Sequence, residues 1–375
     1  MAWWTPLWQR AGATLALGLA FSAAAQEMRT QAVATGLEHP WAVAFLPDGR
    51  FLVTERPGRV RVIEPDGTLG APLGGVPEVV AGGQGGLLDL VLDSDFARNR
   101  TVYFCFSEPG GGSNSTALAS ARLSDDRSRL EKTRVIFSQK PKVASNLHFG
   151  CRIAQARDGT LFLTLGDRFH RMQDAQKLDN HHGKVVRLNK DGSPAQGNPF
   201  IGRSGALPEI WSYGHRNPQG AVLGTDGRLW LHEHGPQGGD EINLPQAGRN
   251  YGWPVITHGE NYGGGKLGEG TARAGMEQPL HYWVPSIAPS GMAVLTSDRY
   301  GEAARGDLFL GSLKFGHVAR LEVEGGKVVR EHKLAVPGER IRDVRQGPDG
   351  LLYLLTDSPR GRLLRLPAQP LAGAS

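Results

Sequence analysis

A short unit recurs along the whole chain: a turn built on Asp and Gly, followed at once by an alternating run of apolar residues. Four close copies are LPDGRFLVTE (46–55), ARDGTLFLTLGD (156–167), GTDGRLWLHEHG (224–235) and GPDGLLYLLTD (347–357). Two looser copies are DFARNRTVYFCFSE (95–108) and AARGDLFLGSL (303–313). Gly accepts the positive φ that such turns need, and alternation behind the turn is typical of a β-strand. The recurrence therefore restricts the chain to a repetitive all-β architecture.

Six units of this kind predict a six-bladed β-propeller with four-stranded antiparallel blades. A second strand is expected after the core strand, as in RVRVIEPDG (59–67) and KVVRLNKDG (184–192). The early segment RTQAVATGL (29–37) is expected to pair with the final blade and close the ring, which would protect the sheet edges. The alternative is chance recurrence of Asp-Gly turns in a β-sandwich. The core strands are expected to begin at Phe51, Thr101, Leu161, Leu229, Asp307 and Leu352.

The first 25 residues differ from the rest of the chain. One basic residue, Arg10, precedes an apolar run over 11–24, and small residues end the run before Gln26. This pattern predicts a secretory signal peptide over residues 1–25 and a single propeller domain over residues 26–375. A retained membrane anchor is the alternative, although the run is shorter than the roughly 20 residues of a spanning helix. We expect a periplasmic or secreted mature chain without a membrane span.

Charge and cysteine content exclude some classes of function. The chain has 42 Lys and Arg against 37 Asp and Glu, a formal net charge of +5, and the two signs are mixed along the sequence. That distribution does not indicate nucleic-acid binding. Two cysteines, Cys105 and Cys151, are too few for a disulfide framework or a cysteine-rich zinc site. An exported chain can pair them, and the sequence leaves this pairing open.

Cationic side chains come from separate repeats. Arg340 and Arg342, in ERIRDV, share one face of a predicted strand, Lys314 follows a core strand in GSLKFGH, and Arg216 lies in YGHRNPQG. Guanidinium groups suit planar, bidentate recognition of carboxylates, so these residues can converge on one polyanionic ligand. For the arginine pair alone, the alternative is a solvated strand face or pairing with carboxylates of the protein.

Two loops carry further candidates. His148, in NLHFGCR, is a candidate general base near neutral pH, although a lone histidine is also common as a structural residue. The glycine-rich AGGQGGLLDLVLD (81–93) matches neither a phosphate loop nor a dinucleotide fingerprint. Its glycines would allow the backbone to approach a flat ligand closely, with Gln84 supplying an amide contact.

Oxygen-rich residues cluster in HEHGPQGGDEINLPQAGRNYGWP (232–254). The carbonyls of Gly235 and Pro236 are available to a hard cation, and Asp240, Glu241 and the Tyr251 carbonyl add oxygen ligands nearby. Surroundings that are rich in oxygen and free of sulfur favour calcium over zinc or copper.

In nine stretches that follow in order over about residues 37–357, the chain resembles the soluble quinoprotein glucose/sorbosone dehydrogenase family, and within it the PQQ-dependent aldose sugar dehydrogenases. The stretches are HPWAVAFLPDG, GGQGGLLDL, HFGCR, YGHRNPQG, HGPQGGDEIN, NYGWP, WVPSIAPSG, GSLKF and RIRDV. The family fold is a six-bladed propeller, in agreement with the repeat count. The resemblance implies pyrroloquinoline quinone (PQQ), a planar tricarboxylate, together with Ca²⁺, an aldose substrate oxidised to a lactone and an external electron acceptor.

The resemblance also implies roles for individual residues. His148 would be the general base, and Arg216 and Asn217 would face the quinone oxygens and a calcium ion. The carbonyls of Gly235 and Pro236 would bind this catalytic calcium. Cofactor binding is implied for Gln84, Lys314, Arg340 and Arg342. Glu241 and Tyr251 would hold a second, structural calcium. Tyr262 and Trp283 would form a wall against the cofactor or the sugar.

The chain departs from the family at two positions. Leu147 stands where the family's glucose dehydrogenases have an acid. The sequence therefore does not show which group orients His148, and it does not indicate a narrow preference for glucose. Cys151 stands where relatives have a small residue, and it could be a free thiol near the site. Two other functions remain open: a calcium-dependent propeller lactonase or hydrolase without a quinone, and a non-catalytic propeller that binds carbohydrate or protein. The sequence does not distinguish a monomer from a homodimer.

Overall fold

Each of the six repeats forms one blade in the computed structural model, which describes residues 26–336 and 338–371. The six-bladed β-propeller and its four-stranded antiparallel blades are therefore confirmed. The predicted core strands are the second strands of the six blades, and five of the six predicted start points are correct. The fifth core strand begins at Leu308, one residue after the predicted Asp307.

The strands are numbered β1 to β25 in chain order. Blade one contains β3 (Pro40–Phe45), β4 (Phe51–Glu55), β5 (Arg59–Ile63) and β6 (Leu69–Pro72), and blade two contains β7 (Leu87–Leu92), β8 (Thr101–Pro109), β9 (Asn114–Leu123) and β10 (Leu130–Ser138). Blade three contains β11 (Gly150–Gln155), β12 (Leu161–Leu165), β13 (Lys184–Leu188) and β14 (Ile210–Tyr213), and blade four contains β15 (Pro218–Leu223), β16 (Leu229–Glu233), β17 (Asp240–Asn243) and β18 (His281–Trp283).

Blades five and six include strands from the N-terminal part of the described chain. Blade five contains β19 (Pro289–Val294), β20 (Leu308–Ser312), β21 (His317–Glu324) and β22 (Lys327–Ala335), with β1 (Gln26–Glu27) added in parallel to β22. Blade six contains β23 (Ile341–Gln346), β24 (Leu352–Thr356), β25 (Gly361–Leu366) and β2 (Gln31–Leu37). Because β2 pairs antiparallel with β25, the predicted closure of the ring is confirmed.

Helical segments are short. Among the residues that the structure describes, they are α1 (Phe96–Asn99) and two 3₁₀ turns, Met172–Gln176 and Glu302–Ala304. In the described ranges, no helix has the length and apolar character needed to span a membrane. The predicted signal peptide, residues 1–25, lies outside the described residues and stays a prediction.

In the described part of the chain, the hydrophobic core consists of six clusters, one between each pair of neighbouring blades. The cluster between blades two and three also contains a disulfide that joins Cys105 in β8 to Cys151 in β11. The suggestion that Cys151 is a free thiol was therefore wrong. Register explains the pairing, because alternate residues of neighbouring blades face the same interblade layer.

Charged residues of the first strands meet at the centre of the ring. The guanidinium of Arg152 lies 3.2 Å from Asp89 and 3.1 Å from Asp343, and Arg345 bonds the same two carboxylates at 2.7 and 3.0 Å. These residues belong to blades two, three and six. Removing one member of such a buried pair typically costs about 3–5 kcal/mol, so the network holds distant blades in fixed relation.

Candidate functional site

The predicted site residues gather at one end of the propeller. His148 lies two residues before β11, Arg216 lies two residues before β15, and Gly235 lies two residues after the end of β16. In antiparallel neighbours, the start of one strand lies beside the end of the next. Residues before the first strand and after the second strand of every blade therefore share the same end of the ring.

An axial pocket of about 520 Å³ opens at this end, and all six blades contribute to it. Five of the predicted cofactor-binding residues line it: Gln84, Asn217, Lys314, Arg340 and Arg342. The other lining residues are Trp41, Arg56, Gly83, Leu88, Phe149, Gly150, Gln219, His234, Ala288, Leu313 and Asp357.

The charge of the axial pocket is strongly positive. Four cationic side chains line it, namely Arg56, Lys314, Arg340 and Arg342, against one carboxylate, Asp357. Asp357 accepts a hydrogen bond from Arg342 at 2.9 Å. Burial opposes ionisation of this carboxyl, but the charge of Arg342 outweighs it and lowers the pKa of Asp357. Asp357 thus neutralises one of the four positive charges in the axial pocket, and three remain in excess.

Arg56 is a cation of this pocket that sequence reasoning missed. It follows β4, the core strand of blade one, as Lys314 follows β20 in blade five. Its guanidinium donates to the Gly83 carbonyl at 3.0 Å and has no carboxylate partner among the described residues. The signal was present in the sequence, because both cations come soon after the core strand of their repeat.

A second pocket, the side pocket of about 330 Å³, contains the candidate base. The Nδ1 atom of His148 lies 2.6 Å from Asp167 Oδ1, and Trp253 Nε1 donates to Asp167 Oδ2 at 2.7 Å. Asp167 therefore orients the imidazole, the role that the sequence left open. The lining residues are His148, Asp167, Phe169, His170, Met172, Arg216, Pro236, Trp253, Asn261, Tyr262 and Leu267.

Sequence reasoning missed Asp167 and Trp253, although one signal pointed to the first. Asp167 ends the repeat ARDGTLFLTLGD just after β12, as Asp357 ends GPDGLLYLLTD just after β24. An acid at that point lies at the site end of its blade. Trp253 had no such signal, because it belongs to a long segment between β17 and β18.

The imidazole of His148 is set up to accept a proton. Burial lowers its pKa, the hydrogen bond and charge of Asp167 oppose that shift, and the charge of Arg216 adds to it. A proton on Nδ1, donated to Asp167, leaves the Nε2 lone pair free. The backbone is fixed as well, because the His148 N–H donates to Gln84 Oε1 at 2.8 Å. Gly166 is required nearby, since a Cβ there would lie 2.0 Å from the His148 carbonyl oxygen.

Arg216 lines the side pocket, and its neighbour Asn217 lines the axial pocket. Its Nη1 donates to the carbonyls of Gly235 at 2.6 Å and His234 at 3.1 Å, and Nη2 lies 3.3 Å from the Tyr262 hydroxyl. The guanidinium carbon lies 5.2 Å from the centre of the Trp253 ring. The buried Nε has no hydrogen-bond partner in the described part of the chain. Within the described residues, three of the five N–H donors of Arg216 are paired, and Nη1 lies where two main-chain carbonyls converge.

Three of the four predicted calcium ligands, Gly235, Glu241 and Tyr251, line a very small cavity together with Glu233, whereas Pro236 lines the side pocket. Burial and the negative charge of Glu233 raise the pKa of Glu241 to about 8. Among the described residues, the Glu241 carboxylate accepts one hydrogen bond, from Asn243 Nδ2 at 3.2 Å. An under-neutralised carboxylate beside backbone carbonyls suits a hard cation.

Other predicted positions differ from expectation. Among residues 26–336 and 338–371, no three His, Cys, Asp or Glu side chains converge on a metal position, so a cation at this end would depend on carbonyl oxygens. Trp283 was wrongly predicted to wall the cofactor or sugar. It lies on the outermost strand of blade four, donates to Glu331, and lines neither pocket. Trp253 and Tyr262 provide the aromatic wall instead, and Tyr262 is 62% exposed.

Comparison with known proteins agrees with this arrangement. The family model for glucose / sorbosone dehydrogenase matches residues 37–365. The chain is 47% identical over 358 residues to the aldose sugar dehydrogenase YliI of Escherichia coli K12, covering 94% of this chain and 96% of that protein. A crystal structure of a glucose dehydrogenase is 49% identical, with a TM-score of 0.89 over 91% of this chain and 100% of the other. The PQQ-bound aldose sugar dehydrogenase of Streptomyces coelicolor is 29% identical, with a TM-score of 0.74 over 90% of this chain and 98% of the other.

Proposed function

The chain belongs to the glucose/sorbosone dehydrogenase family, and from this membership we propose that it oxidises aldoses at the anomeric carbon to lactones, with PQQ and Ca²⁺ bound at the axial end. The electrons pass to an external acceptor. The observation that carries the proposal is the charge of the axial pocket. Four cations and one acid leave three positive charges in excess, which equals the number of carboxylates on PQQ.

The residues of the axial pocket fit a flat polyanion. Arg340 and Arg342 approach from blade six, Lys314 from blade five and Arg56 from blade one. Charge-assisted hydrogen bonds are roughly twice as strong as neutral ones, so these side chains can anchor the carboxylates. Trp41 adds an apolar ring surface. The PQQ-bound relative from Streptomyces coelicolor supports the choice of this quinone.

The carbonyls near Arg216 fit the catalytic calcium ion. Those of His234 and Gly235 already converge on a positive group, and Pro236 follows directly in the chain. Glu241 and the Tyr251 carbonyl would hold the second, structural calcium. Burial and the charge of Glu233 raise the pKa of Glu241 to about 8. When bound, PQQ would supply the acceptor for the hydride of the anomeric carbon, and Ca²⁺ would supply a Lewis acid.

The chain itself supplies the base and the electrostatics. His148 Nε2 takes the proton of the anomeric hydroxyl, while Asp167 stabilises the imidazolium that forms. Arg216, which lines the side pocket, stabilises negative charge that develops on an oxygen, and Asn217 contributes its amide in the axial pocket. The wall of Trp253 and Phe169 excludes water from the sugar ring. Proton and hydride leave together, so the sugar loses two electrons and becomes the lactone.

One experiment distinguishes this function from its alternatives. Purified protein stripped of cofactor is mixed with Ca²⁺ and PQQ, and dye reduction is measured with a panel of aldoses. We expect bleaching that requires both additions. Cleavage of lactones or esters without PQQ would favour the hydrolase, and inactivity in both assays would favour a binding protein. The first result supports the proposal, and either of the others overturns it.

Three further features belong to the same proposal. A signal peptide over residues 1–25 would deliver the single domain of residues 26–375 to the periplasm or the medium. The small-molecule aldose and the external acceptor are the partners. The mature chain is a monomer or a homodimer without a membrane span.

A further inference from the structure

Lys184 is a buried cation that the proposed chemistry does not use. It starts β13 in blade three and is fully buried. Its ammonium donates to three backbone carbonyls, those of Asp174 at 3.0 Å, Ala175 at 3.2 Å and His182 at 2.5 Å. An ammonium has three donors, so its hydrogen-bonding capacity is filled by main chain alone.

This arrangement is unusual for a buried charge, because the bonded partners in the described ranges include no carboxylate. Burial lowers the pKa of Lys184 to about 7, although the negative charge of Asp174 opposes the shift. The Asp174 carboxylate is already bound by Arg171 at 2.7 Å and Lys177 at 3.1 Å. The three hydrogen bonds to main-chain carbonyls offset part of the cost of burying this cation.

The three carbonyls belong to a long connection between β12 and β13, residues 166–183, which is here named the wall segment. The wall segment contributes Asp167, Phe169, His170 and Met172 to the side pocket. Two of the carbonyls lie on its outgoing limb and one on its returning limb. The ammonium therefore ties both limbs together, as a bound metal ion would in other long loops.

The wall segment also contacts the turn that carries Arg216. Three backbone hydrogen bonds join them: Asp167 N–H to Arg216 O at 2.8 Å, Gly214 N–H to Ala175 O at 3.0 Å and His215 N–H to Gly183 O at 3.2 Å. The Ala175 carbonyl is shared between Lys184 and this turn. Movement of the ammonium would thus displace both the wall segment and the turn with Arg216, which lie on two sides of the side pocket.

We propose that Lys184 is a positioning residue for the oxidation: its buried ammonium fixes the wall segment against the 213–217 turn and so sets the spacing between the His148–Asp167 pair and Arg216. The proposal rests on the proposed function. It assigns Lys184 no contact with sugar or cofactor. It predicts loss of catalytic alignment with cofactor binding largely retained, because the axial pocket contains no residue of the wall segment and only Asn217 from the 213–217 turn.

The test compares two neutral variants. Lys184→Met removes the buried ammonium, and Lys177→Met removes an ammonium that also bonds Asp174 but is 59% exposed. A misplacement of about 1 Å can cost about 10²-fold in rate, so kcat/KM should fall by about that factor in K184M and change little in K177M. The dissociation constant for PQQ, measured by tryptophan quenching, should shift by less than about threefold in both variants. Equal kcat/KM in K184M and the wild type would overturn the proposal.

A chemical rescue covers the case in which K184M does not fold. The two natural cysteines are joined to each other, so the thiol of K184C is the only one that reacts when the unreduced chain is alkylated in denaturant. Aminoethylation restores an ammonium of lysine length, and carbamidomethylation leaves a neutral adduct. After refolding, we expect activity in the first product and at least about tenfold less in the second. Equal activity in the two would contradict the proposal.

Hydrogen exchange separates failure of this proposal from failure of the function. Amides in 172–183 and 213–217 should exchange faster in K184M than in the wild type, and K177M should match the wild type. If the wild type oxidises no aldose, the proposed function is wrong, and with it the role of Lys184 in that reaction. If the wild type is active and exchange is unchanged in K184M, only the role of Lys184 falls.

Discussion

The axial pocket and the side pocket lie next to each other but are built differently. The axial pocket is lined by residues at strand ends of all six blades, and its prominent feature is unbalanced positive charge. The side pocket takes most of its walls from the wall segment and from the long connection between β17 and β18. Its central feature is one buried imidazole–carboxylate pair. The repeated frame thus supplies ligand binding, and the insertions supply proton handling and shape.

This difference has a physical basis. Repeats place equivalent positions around a ring, so several like charges can meet at its axis at once. A polyanion needs that convergence, because each separate contact is modest. A general base instead needs one imidazole that is desolvated, oriented and kept neutral, which a local insertion can provide by covering it. The two pockets should therefore respond differently to the same kind of mutation.

The largest effect is expected for His148→Ala. General-base assistance contributes about 10²–10⁴-fold, so kcat should fall by at least the lower of these factors. Affinity for PQQ should stay near the wild-type value, because His148 lines the side pocket and not the axial one. Turnover and PQQ titration on the same preparation check both parts. Near-normal turnover would remove His148 from the role of base.

The double variant Arg340→Ala/Arg342→Ala should have the opposite profile. Charge-assisted hydrogen bonds contribute about 1.5–3 kcal/mol each, so the dissociation constant for PQQ should rise by about 10²-fold or more, with kcat largely restored at saturating PQQ. Arg330→Ala is a suitable control, since Arg330 is 64% exposed on the outer part of blade five. An unchanged affinity would mean that the pair serves only to bond Asp357 and the main chain.

Asp167→Asn should reduce kcat by about 10- to 100-fold and also change its pH dependence. Asp167 raises the pKa of His148 against the effect of burial. Its removal should therefore lower that pKa further, and the acid limb of kcat/KM, already below the ordinary histidine value of about 6.5, should move to lower pH. Rate profiles from pH 4 to 8 measure the shift. A limb that moves to higher pH would contradict this assignment, and Asp158→Asn, at the other end of β12, should leave the profile unchanged.

The smallest effect is expected for Trp253→Phe. The ring would remain as part of the wall, but the hydrogen bond from Nε1 to Asp167 Oδ2 would be lost. One neutral donor contributes about 0.5–1.5 kcal/mol, so kcat/KM should fall about 2- to 10-fold with PQQ affinity unchanged. A loss as large as that of D167N would show that the ring shape, and not the hydrogen bond, carries the contribution of Trp253.

Local pattern was sufficient for the blades and for several site residues. The Asp-Gly turns and alternating strands located five of six core strands to the residue, because both signals depend on neighbouring positions only. His148, Arg216 and the Arg340–Arg342 pair were found because each stands in a short polar stretch beside a predicted strand. Asp167 and Arg56 were missed although each follows the core strand of its repeat, because the residues near them in sequence do not show which side chains they meet.

The sequence by itself therefore determined the repeat, the all-β class, the closing strand and the chemical types available for a site. Only the tertiary structure decided which of them meet. Asp167 and His148 lie on opposite sides of β11 and β12 in sequence, and Arg56 and Arg342 are almost three hundred residues apart, yet each pair shares a pocket. The physical reason is that convergence at the axis follows from closing the ring, a non-local event that brings together strand ends separated by whole blades.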